Sequence, residues 1–241
     1  MRSKSEGMTD EQRALVEQLL ALGRRFMDET QRPISFDTKN KEAEELLKDL
    51  RHPHIFVLGC IMDRQIAAPR AWIIPYKIGV EAGGFQFKYF ERLSENCIAK
   101  IFNEKKLHRF NSVQTKNFYS GICRIKEKYD GDASRIWAGN PRSATVVRRF
   151  LEFPGVGVKI ATMAANILVR KFKVPMKDYS SIDISPDVRV KRFFKKHGLL
   201  REEASNEELI YLARELSPEF PGLLDLPAWQ LGAPGAGRKN V

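Results

Sequence analysis

Residues 153–168 read "FPGVGVKIATMAANIL" and place Lys159 two residues after Gly157, at the start of a run that is apolar almost all the way round. Gly155 and Gly157 allow a tight turn and leave no side chain between backbone and a bound group. A turn of this kind, opening onto a helix N-terminus, presents the amides of Gly155, Val156 and Gly157 as a phosphate site. On a basic chain that reads as a sequence-independent contact to a nucleic-acid backbone. Lys159 is the second chemical feature. The positive end of a helix dipole and partial burial both disfavour an ammonium, so an amine at this spot is a better nucleophile than a free lysine, which titrates near about 10.4. The plainer reading of Lys159 is a surface side chain reaching past the turn to a phosphate.

The elements around this turn are helical. "TDEQRALVEQLLALGRRFMDE" has Leu15, Val16, Leu19, Leu20, Leu22 and Phe26 at helical spacing, with Thr9 as N-cap and Gln12 three residues on. "KEAEELLKDL" is a short second helix. The run 55–62, "IFVLGCIM", is apolar throughout and β-branched at Ile55, Val57 and Ile61. The rest of the chain offers no convincing partner strand, so it reads as a buried helix. Helices follow in "SENCIAKIFNEKK" behind Ser94, in "TKNFYSGICRIKEKYD", briefly in "DASRIWAG", and in "SATVVRRFLEF" behind Ser143. After the turn come a helix over 158–172, another over "PDVRVKRFFKKHGLL" stopped by Gly198, and one over "SNEELIYLARELSPE" with a Ser205–Glu208 capping box. The tail 233–241 is rich in Gly and reads as disordered.

Composition narrows the partner. The chain has 241 residues, and its 41 Lys and Arg against 30 Asp and Glu give a formal charge of +11. That excess favours a polyanion, with nucleic acid ahead of a membrane surface. Cys60, Cys97 and Cys123 are far apart, without disulfide or zinc spacing. No apolar run reaches the roughly 18 residues of a membrane span, and no leader-like apolar segment opens the chain. A soluble intracellular protein, cytoplasmic or on the nucleoid, is the expectation.

The string "FPGVGVKIA" followed by "PDVRVKRFFKKHGL" resembles the helix-hairpin-helix DNA glycosylases of the endonuclease III type. That family reads Leu-Pro-Gly-Val-Gly-x-Lys-x-Ala, then Asp-x-His-Val-x-Arg-Val, a basic run and Gly-Leu. The match runs through Pro154, Gly155, Val156, Gly157, Lys159 and Ala161, then Asp187, Val190, Arg192, Gly198 and Leu199. Arg189 stands where the family often has His. The segment before Asp187, "KFKVPMKDYSSIDIS", is longer than the common pattern. The resemblance implies an all-α fold of two helical domains flanking a DNA-binding cleft. It implies a helical barrel over about 50–171 carrying the hairpin at about 143–172, and a discontinuous second domain of 1–49 plus 172–232.

It also implies roles. Lys159 is the nucleophile toward the sugar C1′. Asp187, which falls in the motif frame without a gap, stabilises the oxocarbenium-like sugar and handles protons; Asp183 is the reserve. Gln65, in "IMDRQIAAPRAW", stands where relatives carry the residue that fills the stack after a base is flipped out. Arg64 or Arg70 would contact phosphates or the orphan base. Aromatics 72, 76, 85, 87, 89 and 90 crowd the same region, more of them for a core than for a flipped base.

Many relatives end in a four-cysteine iron–sulfur loop, but this chain has no cysteine after Trp229. No iron–sulfur cluster and no other metal or cofactor are expected. The implied function is base-excision repair: a monomeric DNA glycosylase with AP-lyase activity on duplex DNA bearing a damaged base or abasic site. A monofunctional glycosylase using water, and a non-catalytic DNA-binding module, are the alternatives. The damaged base is not readable, because its pocket lies outside the hairpin motif.

Overall fold

The computed structural model describes residues 7–28 and 35–232, and the expected disordered tail lies outside them. Among the described residues thirteen α-helices follow one another: α1 (Asp10–Asp28), α2 (Lys41–Leu47), α3 (Pro53–Met62), α4 (Ala68–Trp72), α5 (Ile74–Ala82), α6 (Phe87–Phe90), α7 (Glu95–Glu104), α8 (Asn111–Tyr129), α9 (Ser143–Leu151), α10 (Val158–Arg170), α11 (Val188–Lys196), α12 (Asn206–Leu216) and α13 (Asp225–Leu231). No strand occurs among the described residues, so the chain is all-α. None of these helices is long and apolar enough to cross a membrane. Short 3-10 turns lie at Ala133–Ile136, where the sequence suggested a short helix, and at Pro221–Leu224.

The chain divides into two compact units. Of the described residues, the first takes those up to 28, residues 142–144 and 176–232; the second takes 35–141 and 145–175. Residues 35–49 therefore fall in the second unit, where α2 packs on α3 and α5, whereas the resemblance grouped them with the terminal helices. The core of the second unit is α3, whose residues from His54 to Met62 are all buried. A helix apolar on every side has no solvent face to offer, and burial within its unit is the stable outcome. Phe56 is the hub. Its ring stacks on Trp72 at 5.7 Å and meets Trp137, Phe150 and Phe172 edge-on.

In the first unit, Leu19 of α1, Val190, Phe193 and Phe194 of α11, Leu209 and Ala213 of α12, and Ala228 of α13 close a single core. Both predicted capping boxes form. Thr9 and Gln12 exchange hydrogen bonds of 3.0 and 3.2 Å, and Ser205 and Glu208 do the same. Gln12 also donates to the carbonyls of His197 and Gly198, so the start of α1 is tied to the end of α11. Ser143 is no cap. It is the first residue of α9, and its hydroxyl donates to Asp178 and accepts the N–H of Ser181. With Gly222 N–H on the Ile182 carbonyl at 2.7 Å and Tyr179 on Phe220, this anchors the long helix-free segment before α11.

Candidate nucleic-acid interface

The hairpin forms in the second unit. α9 ends at Leu151; Phe153 is buried and stacks parallel to Tyr129 with ring centroids 6.3 Å apart. Val156 N–H closes the turn on the Phe153 carbonyl at 3.1 Å. Gly155 has φ +83°, and a Cβ there would lie 2.4 Å from Nδ2 of Asn117. Both the conformation and the space demand glycine. Gly157 differs. Its φ of −103° suits any residue, and a Cβ there would meet no atom within 4 Å. Among the described residues nothing fills the space that Gly157 keeps open.

Gly157 is the N-cap of α10 and no side chain caps that terminus. The N–H groups that open a helix find no carbonyl within it, the arrangement in which helix termini can receive anions. Lys159 is the second residue of α10, half-buried in its first turn beside the exposed Val158. Under the turn lies a polar pair that the sequence did not reveal. Asn117 donates to Gln114 Oε1 at 3.1 Å, and both are buried on α8. Their i, i+3 spacing on the face that also carries Phe118 was the available signal.

Asp187 and Asp183 both lie in the first unit, in different settings. Asp187 is the N-cap of α11 and accepts the N–H of Arg189 at 2.9 Å, the capping position the sequence offered it. Asp183 is buried and gripped at both oxygens by Arg214, at 2.7 and 2.8 Å. Arg214, on α12, carries no motif signal. Arg189 lies over the Trp229 ring, 4.6 Å from its centroid.

Gln65 is exposed in the bend between α3 and α4, with φ +57°. A non-glycine residue in the left-handed region is held there by its surroundings. Arg64 is exposed beside it. Arg70 is committed elsewhere, donating Nε to the Leu107 carbonyl at 3.1 Å and Nη2 to that of Lys106 at 2.6 Å. The nearby aromatics serve packing: Trp72 and Phe90 are buried, Tyr76 stacks on Phe85 at 5.5 Å, and Phe87 meets His54 edge-on.

The donor set does not fit a four-thiolate cluster. Cys60, Cys97 and Cys123 are unpaired on α3, α7 and α8, and burial pushes the Cys60 thiol well above its usual pKa. Among the described residues no three His, Cys, Asp or Glu side chains gather in a way that could hold a metal.

The fold is that of the endonuclease III and 8-oxoguanine glycosylase class. A trapped covalent intermediate of endonuclease III with DNA superposes with a TM-score of 0.59 at 13% identity, over 93% of this chain and 86% of that one. The 8-oxoguanine glycosylase/lyase of Clostridium acetobutylicum, bound to duplex DNA with cytosine opposite 8-oxoG, gives 0.59 at 17% identity, over 90% and 67%. Its apo form gives 0.58 at 16%, over 92% and 70%. No protein-family model and no curated protein matches the sequence.

Proposed function

We propose that the protein is a base-excision DNA glycosylase with AP-lyase activity, acting on duplex DNA that carries a damaged base or an abasic site. The observation that carries the reading is Lys159 in the first turn of α10, directly after the glycine turn of a helix-hairpin-helix. The likeness in fold to DNA glycosylases supports it, as does Asp187 in the motif frame.

The turn from Gly155 to Gly157 binds a phosphate through backbone amides. Gln65 fills the stack vacated by the extruded nucleotide, with Arg64 on the backbone beside it. The Lys159 Nζ lone pair then forms a bond to C1′ as the C1′–N glycosidic bond breaks, its electron pair leaving with the base, which takes up a proton. The C1′–O4′ bond opens as the amine loses its protons, giving an imine, and O4′ is protonated. Loss of a C2′ proton expels the 3′ phosphate, and water frees the lysine. Asp187 offsets positive charge on the sugar and relays protons.

Borohydride tests this. Wild type with a duplex containing an aldehydic abasic site should yield a covalent protein–DNA adduct, and Lys159→Ala should yield none. Adduct at wild-type level from Lys159→Ala removes the assignment. Base excision without any adduct in wild type points instead to water as nucleophile.

A further inference from the structure

Gln65 and Lys106 are both non-glycine residues in the left-handed region, at φ +57° and +48°. Gln65 lies in the linker from α3 to α4, Lys106 in the linker from α7 to α8. Each conformation is strained for a residue with a Cβ and persists only where neighbours over-determine it. At Lys106 the neighbours are clear: its N–H and that of Leu107 close the end of α7 on Asn103 and Phe102, a place where glycine is the common residue. Arg70, just beyond the Gln65 bend on α4, then seizes the carbonyls of both Lys106 and Leu107.

The α7–α8 linker is also fixed by its own side chains. His108, on the α7–α8 linker, is buried. Its Nδ1 accepts the Phe110 N–H at 3.0 Å, so in the neutral ring Nε2 carries the proton. Nε2 is buried and has no hydrogen-bond partner among the described residues. Asn111 Oδ1 accepts the His108 N–H at 3.0 Å and fixes the residue's backbone. Arg70 thus fastens α4, whose first turn follows the Gln65 bend, to the α7–α8 linker.

We propose that Arg70 is a positioning residue for Gln65: by fastening α4 to the α7–α8 linker it holds the bend that leads into α4 in the form that presents Gln65 to the DNA stack. This rests on the proposed role of Gln65 and replaces the expectation that Arg70 touches phosphate. A guanidinium whose Nε and one Nη are spent on carbonyls of its own chain makes a poor partner for a mobile phosphate. A lysine cannot imitate that fork.

The probe is a duplex with a tetrahydrofuran abasic analogue next to 2-aminopurine, whose fluorescence reports filling of the stack. Gln65→Ala should cut the fluorescence change on binding by at least about threefold, and Arg70→Met and Arg70→Lys should do the same. The double variant Gln65→Ala/Arg70→Met should lose no more than Gln65→Ala alone, the signature of residues acting as a unit. The slope of log affinity against log salt should stay unchanged in Arg70→Met. Thermal melting checks that each variant is folded. Full signal in Arg70→Lys, with a slope shallower by about one in Arg70→Met, overturns the brace in favour of a phosphate contact. Wild-type signal from Arg70→Met beside a silent Gln65→Ala overturns the brace alone. Wild-type signal from Gln65→Ala overturns both it and the stack-filling role.

Discussion

Arg214 holds Asp183 at both carboxylate oxygens, Nε to Oδ1 at 2.7 Å and Nη2 to Oδ2 at 2.8 Å. Its neighbour in sequence, Asp187, caps α11 through the N–H of Arg189. Two acids four residues apart are thereby given different work. Asp183→Asn breaks a charge-assisted fork and should destabilise the first unit by about 1–3 kcal/mol, less than a fully buried pair because the Arg214 side chain is 43% exposed. Asp187→Asn keeps a good N-cap, so stability should change by less than about 0.5 kcal/mol, while strand nicking at an abasic site falls by two orders of magnitude or more. Urea denaturation and single-turnover nicking check the pair. Full nicking by Asp187→Asn moves the acid role elsewhere.

The two glycines of the hairpin should separate in the same manner. Gly155→Ala forces a side chain into φ +83° and onto Asn117, and should cost about 1–3 kcal/mol. Gly157→Ala meets nothing within 4 Å and should melt as wild type. Its methyl would stand in the space that the proposed phosphate contact needs, so affinity for an abasic-analogue duplex should fall about tenfold or more. Equal affinity would show that DNA does not approach the turn there.

His54 sets an acid limit on the second unit. Burial holds its pKa down to about 4 from 6.5, and the hydrogen bond to the Phe85 carbonyl only partly offsets this. Between those values the unfolded chain binds a proton that the folded one refuses, so stability falls as pH drops through the window. The loss should approach about 3 kcal/mol at pH 4. His54→Gln should flatten that part of the profile in urea denaturation across pH 4–7.

Lys171 predicts the opposite limb. Its amine lies against the Phe36 ring and donates to the Ser35 carbonyl, and burial lowers its pKa to about 8 from 10.5. The folded state gives up this proton first, so stability from this group rises between pH 8 and 10.5. Lys171→Met should therefore gain in melting temperature relative to wild type at pH 7 and lose that advantage by pH 10. A difference independent of pH would show that the amine titrates normally.

Sequence alone determined the helical class, the hairpin and its glycines, both capping boxes and the capping place of Asp187. These are local: a turn needing positive φ, an N-cap and its third residue, or an apolar period lies within one or two helical turns, where chain connectivity fixes the neighbours. It left α4 and α5 unassigned, although Pro69 and Pro75 each stand in the first turn of a helix, where proline is at home. It also could not see that Arg70 turns inward to Lys106 and Leu107, that Asn117 lies under Gly155, or that Arg214 claims Asp183. Those pairings join residues 31 to 38 positions apart, and only the packing of one helix on another decides which polar groups meet there. A side chain's charge is written in the sequence, but its partner is set by the fold that desolvates it.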